Sequence, residues 1–505
     1  MEVSLSYGCK VIHLLFIFSS GFPLPCETRF FIRRTGRFSV NLQAKRYSMP
    51  ILPPLFCQQM ADILGPSQAQ ALAEALDTAP AVSIRRNPFK PTAEDLYADT
   101  QPVPWCATGA YLPNRPSFTS NPLLHAGAFY VQEAASMFIE QAYRAMDIVP
   151  QRVLDLCAAP GGKSTLWRTL LPDDALLVAN EPLRQRAQIL AENLTKWGHP
   201  GVIVTNAYGA DFARLEGCFD VVATDVPCSG EGMFRKDEGA VSQWSPGLVE
   251  QCVQTGWEIV SDVWPALRTG GYLVYSTCTF NREEDEHQVA RICNELGAEL
   301  VAIPTPEEWG VQGDTTGEEQ AVYHFFPHRT RGEGFFLALL RKTAESPSAS
   351  PRRAKRDRQG NSPVAKGAKA VSAWLSESAC YKIFATGPDS LSAIPEIHYE
   401  TMLRLSAHVR MLQAGITLAV QKGHKLIPEH ALALSTACAP EAFPRQELDL
   451  ETALCYLRRE TIVLPADAPR GYMVVTFKGL PLGFVNNLGN RANNMYPNEW
   501  RIRTR

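Results

Sequence analysis

Two cysteines stand where residue type and setting suggest reactive groups. Cys228 lies in DVPCSGEGMFRKD, residues 225–237, and Cys278 in STCTF, residues 276–280. Each follows a short apolar, β-branched run, FDVVAT at 219–224 and YLVYST at 272–277. A thiol on a loop leaving the C-terminal end of a buried strand is well placed for chemistry, because open α/β sheets bind ligands there. Alone, Cys228 reads equally well as a small buried apolar residue. A second cysteine in a matching position points to a paired site. A thiolate that adds to carbon 6 of a pyrimidine makes carbon 5 enamine-like, able to attack a methyl sulfonium. Loss of the carbon-5 proton then expels the thiolate. The base must be unstacked or single-stranded to be reached.

A methyl donor needs a site, and two further motifs offer one. VLDLCAAPGGKST, residues 153–165, reads as strand, glycine-containing loop and helix, which points helix N–H groups at a polar ligand. A phosphate-binding GxxxxGK[ST] loop would need glycine where Cys157 stands, so nucleoside triphosphate binding is not expected. Glu181, in Asn180-Glu181-Pro182 at the next strand end, is placed to hold ribose hydroxyls. With no GxGxxG, the pair favours the adenosine of S-adenosylmethionine over a dinucleotide.

The elements that must position these groups alternate. Strands are predicted at 153–156, 175–180, 202–205, 219–224 and 272–277, with helices at 161–171, 184–197 and 248–267 between them. This rhythm indicates a mostly parallel doubly wound sheet, closed by an antiparallel pair near 322–340. Strands four and five should lie side by side and present both cysteine loops to one cleft. Upstream, short helices are expected between residues 53 and 80, strands at 82–87 and 103–112, and a helix at 129–139. Arg85, Arg86 and Lys90 read either as phosphate contacts or as a solvated face. Residues 343–371, rich in Ser, Pro, Lys and Arg, form a flexible basic linker. Apolar content returns over 372–505, expected to be a separate domain, with a hairpin turning at Gly-Leu-Pro in YMVVTFKGLPLGFVNN.

The net charge of −3 excludes a globally basic nucleic-acid binder while leaving room for local basic grooves. Thirteen cysteines, an odd count without regular spacing, favour a reducing cytoplasm over a disulfide framework. No CxxC pair or His/Cys cluster suggests a metal site. No stretch reaches the roughly 20 apolar residues that span a bilayer. The run at 11–18 is similar to a short secretory signal, yet oxidation would disable the paired thiols. Residues 1–48 are therefore read as disordered or as an over-extended start, with Met49 the working one.

DLCAAPGGK, NE, DVPCSGEGMFRKD and STCTF together resemble the Sun-type RNA 5-methylcytosine methyltransferases, in the group of bacterial ribosomal RNA small subunit methyltransferase F. The resemblance covers residues 50–505. It implies a Rossmann-like α/β class I S-adenosylmethionine-dependent methyltransferase sheet at 125–342. A small N-terminal α+β RNA-binding module at 49–124 and a C-terminal α+β domain at 372–505 with a PUA-like fold would flank it. By that resemblance, Cys157, Ala158, Ala159, Pro160, Gly161, Gly162 and Lys163 wrap the cofactor and Glu181 holds its ribose. Asn206 stands on the adenine side, with Asp211 the alternative. Asp225 lies between cofactor and cytosine, with Lys163 also in the catalytic group. Cys278 is the nucleophile and Cys228 assists release. The implied activity is cytosine-5 methylation of 16S ribosomal RNA by a cytoplasmic monomer that binds RNA and no membrane. The alternatives are a transfer RNA cytosine-5 methyltransferase or a noncatalytic ribosome-assembly factor. A DNA cytosine-5 methyltransferase would use the Pro-Cys thiol itself as nucleophile and would lack the Thr-Cys loop.

Overall fold

The computed structural model describes residues 2–7, 10–15, 52–93, 96–344 and 367–503. The chain forms two units, 1–48 and 49–505. In the first, Glu2–Tyr7 and Lys10–Leu15 pair as an antiparallel hairpin. The rest of the extension, including the end of the signal-like run, lies outside the described residues, as does most of the 343–371 linker.

The second unit is built on a nine-stranded sheet. Its strands are β1 (Arg152–Asp155), β2 (Leu176–Asn180), β3 (Val202–Thr205), β4 (Phe219–Asp225), β5 (Leu267–Thr277), β6 (Ala298–Leu300), β7 (Val322–Phe325), β8 (Phe335–Lys342) and β9 (Met411–Ala414). The order is β6-β8-β5-β4-β1-β2-β3-β9, with β7 also on the outer edge of β8. The strands β5-β4-β1-β2-β3 run parallel, and β8 returns antiparallel to β5. Parallel strands are covered on both faces and so need near-continuous apolar runs. Every residue of β2 and β3 is buried.

Because successive strand residues point to opposite faces, the sheet feeds two apolar layers. Val153, Leu177, Val204 and Val221 pack with Leu166 and Trp167 of α1 (Gly162–Leu170) and with Leu190 and Leu194 of α2 (Arg184–Trp197). Leu154, Val178, Ile203 and Val222 pack with Val260 and Val263 of α3 (Pro246–Val263). Each such aliphatic side chain stabilises the fold by about 1.5–3 kcal/mol when fully buried. Chain direction across the sheet reverses between β1 and β4, so their C-terminal ends flank a crevice.

Several elements differ from expectation for identifiable reasons. Helix α3 stops at Val263 rather than 267, because Pro265 has no N–H to continue it. A single 3₁₀ turn follows, and β5 begins already at Leu267. The stretch 103–112 is a hairpin, Gln101–Val103 with Cys106–Leu112, whose turn buries Trp105. The stretch 129–139 is not one helix. Phe129–Val131 is a strand beside Val82–Arg86, and Ala135–Phe138 is a 3₁₀ turn before the helix Ile139–Ala145. The N-terminal sheet therefore takes a strand from beyond residue 124. The hairpin of Gly471–Phe477 with Leu480–Asn487 turns at Lys478 and Gly479, both at positive φ (48° and 77°), and not at Gly-Leu-Pro.

The region after 372 is also not independent of the central sheet. Met411–Ala414 pairs antiparallel with β3. Tyr456, Val475 and Leu482 share an apolar cluster with Ile84, Ala110 and Leu112 of the N-terminal sheet. No helix among the described residues is long and apolar enough to cross a membrane.

Arg85 and Lys90 are buried and do not face phosphates. The Arg85 guanidinium donates to Gln132 Oε1 (2.8 Å), Thr169 Oγ1 (3.1 Å) and Thr165 Oγ1 (2.5 Å), and it lies 4.5 Å from the Trp197 ring centroid. Burial lowers its pKa to about 10. Lys90 donates to the carbonyls of Ala126 (2.8 Å) and Lys196 (2.5 Å), and burial lowers its pKa to about 7. Both residues fasten the N-terminal module to the central domain. Arg85→Met leaves several buried acceptors unpaired and should lower stability by about 2–4 kcal/mol. Thermal unfolding measures this, and the salt dependence of RNA binding should stay as in the wild type. A reduced salt slope with an unchanged melting temperature would restore the phosphate reading.

Candidate active site

The β1–α1 loop is held by buried polar groups on both sides. Ser164 Oγ donates to Asp155 Oδ2 (2.6 Å), and burial raises Asp155 to about 7. At the end of β2, the Asn180 amide donates to the carbonyls of Leu156 (3.0 Å) and Ala207 (2.9 Å), while its oxygen accepts from Thr205 Oγ1 (2.8 Å). One side chain thus braces three strand ends. In the sequence Asn180 stands out only as the neighbour of Glu181. A polar residue closing an otherwise apolar strand is the signal that could have found it.

The predicted cofactor residues fall on one rim. Cys157 is half-buried at the start of the loop, and burial pushes its thiol pKa up. The Ala158 N–H donates to Asn180 O (2.9 Å), while Ala159 O accepts from Arg186 (2.9 Å) and Pro160 O from Asn193 (2.8 Å). Gly161 has φ 114°, a left-handed conformation that disfavours any side chain, and Gly162 opens α1. Glu181 is buried. It accepts from the Leu183 N–H (3.0 Å) and pairs with Arg186 (3.3 Å). The Asn206 amide nitrogen donates to the carbonyls of Glu181 and Pro182, both at 2.8 Å, so it holds the Glu181 turn in place. Asp211 accepts from the Tyr208 N–H (3.0 Å) and caps its own short helix.

Lys163 reaches from the first turn of α1 to the end of β4. Its Nζ is 2.8 Å from Asp225 Oδ2, and Ser276 Oγ donates to Asp225 Oδ1 (3.0 Å). Burial alone would lower the Lys163 pKa, but the charge and hydrogen bond of Asp225 outweigh it and the net shift is upward. Ser276, next to the β5 cysteine loop, is invisible as a site residue in the sequence because it looks like ordinary strand-end polarity.

The two thiols meet. Cys228 Sγ lies 3.1 Å from Cys278 Sγ and also accepts from the Cys278 N–H (3.3 Å). The hydrogen bond to Cys278, then burial, push the Cys228 thiol well above its ordinary value. Cys228 is thereby favoured as the neutral thiol, and either sulfur can donate across the contact. Lys163 is near enough to Cys278 for their charges to interact. Behind Cys228, Ser229 gives its N–H (2.8 Å) and its Oγ (2.5 Å) to Glu284, which burial raises to about 7. The loops also touch through backbone. Gly232 N–H donates to Cys278 O (2.9 Å), and a Cβ on Gly232 would stand 2.7 Å from Gly334. No larger residue fits there without moving the chain.

This arrangement can deliver one thiolate nucleophile beside a thiol that keeps its proton, with a fixed carboxylate and ammonium alongside. Three family models match the chain. One described as 16S rRNA methyltransferase RsmB/F matches residues 148–341. The N-terminal domain of 16S rRNA methyltransferase RsmF matches 52–134, and the methyltransferase RsmF PUA domain matches 443–502. The ribosomal RNA small subunit methyltransferase F of Erwinia tasmaniensis is 30% identical over 475 residues, covering 90% of this chain and 97% of the relative. That of Klebsiella pneumoniae is 33% identical over 437 residues, covering 83% and 89%. A solved methyltransferase homolog from Pyrococcus horikoshii shares 27% identity at a TM-score of 0.50, covering 57% of this chain and 94% of its own. The NSun6 structure with SFG from the same organism, 18% identical, has the same fold at a TM-score of 0.50, covering 58% and 98%.

Alkylation should separate the thiols. At neutral pH iodoacetamide should modify Cys278 ahead of Cys228, and Cys228 should react only as pH rises well into the alkaline range. Peptide mass spectrometry across a pH series reads this. Faster modification of Cys228 at neutral pH would reverse the assignment of the proton.

Proposed function

We propose, from the premise that this chain belongs to the ribosomal RNA small subunit methyltransferase F family, that it methylates carbon 5 of a cytosine in small-subunit ribosomal RNA through a covalent bond from Cys278. The chain is an S-adenosylmethionine-dependent RNA methyltransferase. The residues at the crevice fit that cofactor. Gly161, at positive φ and packed close to Leu190, turns the loop into α1, whose N-terminus offers N–H groups, and Glu181 offers a carboxylate for hydroxyls. Cys157–Lys163 and Glu181 would hold it, with Asn206 fixing the Glu181 turn. When bound, S-adenosylmethionine supplies an electrophilic methyl group.

The cytosine-specific reading is carried by one observation, the contact of Cys228 with Cys278 beside the Lys163–Asp225 pair. Cys278 sulfur bonds to cytosine carbon 6, and the electron pair moves to carbon 5, which takes the methyl group. The carbon-5 proton then passes to solvent water, its electron pair re-forms the carbon 5–carbon 6 double bond, and the carbon 6–sulfur bond breaks with its pair returning to Cys278 as thiolate. Cys228, still protonated, faces the departing thiolate and stabilises it by a hydrogen bond. Asp225 has one oxygen on Lys163 and the other on Ser276, so it presents a fixed acceptor edge to the base. RNA also needs a hold away from the chemistry. Arg459, Arg491 and Arg501 are exposed around one cleft of the PUA segment and supply positive charge for phosphates.

Cys278→Ala should abolish methyl transfer to ribosomal RNA from a strain lacking the protein, with bisulfite sequencing as the readout. Residual 5-methylcytosine at the wild-type level would end the nucleophile assignment. Cys228→Ala should accumulate a protein–RNA adduct on denaturing gels, and full turnover without adduct would count against a role in release. Changing Arg459, Arg491 and Arg501 to Gln should weaken RNA binding and reduce the salt slope by about 1 for each phosphate that an arginine neutralises. An unchanged slope would remove these residues from the RNA surface.

A further inference from the structure

Glu231 lies in a 3₁₀ turn of the loop that carries Cys228, and it is fully buried (0% exposed). No basic side chain pairs with it among the described residues; neutral donors satisfy it instead. Oε2 accepts from Thr279 Oγ1 (2.7 Å) and the Phe280 N–H (2.8 Å). Oε1 accepts from Trp244 Nε1 (2.9 Å), Asn281 Nδ2 (3.1 Å) and Gln59 Nε2 (3.2 Å). A carboxylate offers about four lone-pair sites, so both oxygens are fully used. The partners have a pattern. Thr279, Phe280 and Asn281 directly follow Cys278, whereas Trp244 and Gln59 come from outside both cysteine loops. Gln59 belongs to the N-terminal helix Pro54–Leu64, whose Phe56 and Met60 share an apolar cluster with Phe234, Trp244 and Phe280.

We infer that Glu231 is the positioning residue that sets the Cys278 sulfur against the Cys228 loop, and that the N-terminal helix braces it through Gln59. The geometry is specific to the nucleophile. Glu231 touches neither the β1–α1 loop nor Glu181. Releasing it frees the residues after Cys278 while leaving the cofactor rim in place. A displacement of about 1 Å at a reacting atom is enough to cost on the order of 100-fold in rate. Gln at this position loses one acceptor and turns an N–H₂ toward inward-pointing donors, so the five bonds cannot all re-form.

The inference rests on Cys278 as nucleophile, and the test separates the two. In the full chain, Glu231→Gln should lower kcat about 100-fold with the KM for S-adenosylmethionine unchanged. In a Cys228→Ala background it should stop adduct accumulation on denaturing gels. Trp244→Phe keeps the ring packing and removes one donor. It should lower kcat about 10-fold with the same unchanged KM, and it decides the matter if Glu231→Gln does not fold. Wild-type kcat in the folded variant, adduct at the level of Cys228→Ala alone, or a KM rising in step with the loss of kcat would each overturn the inference. A fully active Cys278→Ala would instead remove the reading beneath it. An inactive Cys278→Ala beside an active Glu231→Gln would remove only the role of Glu231.

Discussion

The backbone register between β4 and β5 is the constraint on which the catalytic end depends. In their parallel ladder Asp225 stands opposite Ser276, so the two strands end together and release their cysteine loops from the same edge. Side chains alternate across a strand, and a slip of one residue would send each loop off the opposite face. The register is protected by burial. Val221, Val222 and Ala223 are matched with Tyr272, Leu273 and Val274 across two apolar layers. From that fixed edge, the Asp225–Ser276 hydrogen bond and the Gly232–Cys278 backbone contact follow with little further choice. Thiols far apart in sequence then meet at 3.1 Å.

Burial also governs the charges. Asp155 and Glu284 are both raised to about 7 because little water reaches them. Each is hydrogen-bonded by neutral hydroxyl or amide donors. Lys163 with Asp225, and Arg186 with Glu181, are held differently. They form ion pairs at the crevice, where a ligand carries its own charge. Neutral scaffolding behind and ion pairs in front keep the electrostatics of the site concentrated on the face that substrates meet.

Much of this was legible in the sequence. The parallel strands carry continuous apolar runs, and the cysteine loops are marked by Pro227, Gly230 and Gly232, which stop both strand and helix. Buried polar residues were not legible, because burial has no local signature. Arg85 and Lys90 look like phosphate contacts or a solvated face, and Glu231 and Glu284 look like surface carboxylates, yet all four are interior. The strand Phe129–Val131 was hidden by the helical composition that follows it, and its partner Val82–Arg86 lies far upstream. Strand β9 was hidden for the same reason. Four residues of modest β character become a strand only because the edge of β3 is open to receive them.

That last pairing has a consequence for how the chain is made. Thr205 leaves the ribosome long before Met411, its partner across the sheet. At about 5–20 residues per second the outer edge of β3 waits on the order of 10–40 s for its final neighbour. During that interval it presents unpaired N–H and C=O groups flanked by an apolar layer, the kind of edge on which other nascent chains can pair. The enzyme thus completes its sheet near the end of its own synthesis, so a message cut short before Met411 would yield a nearly whole catalytic domain with a permanently open edge.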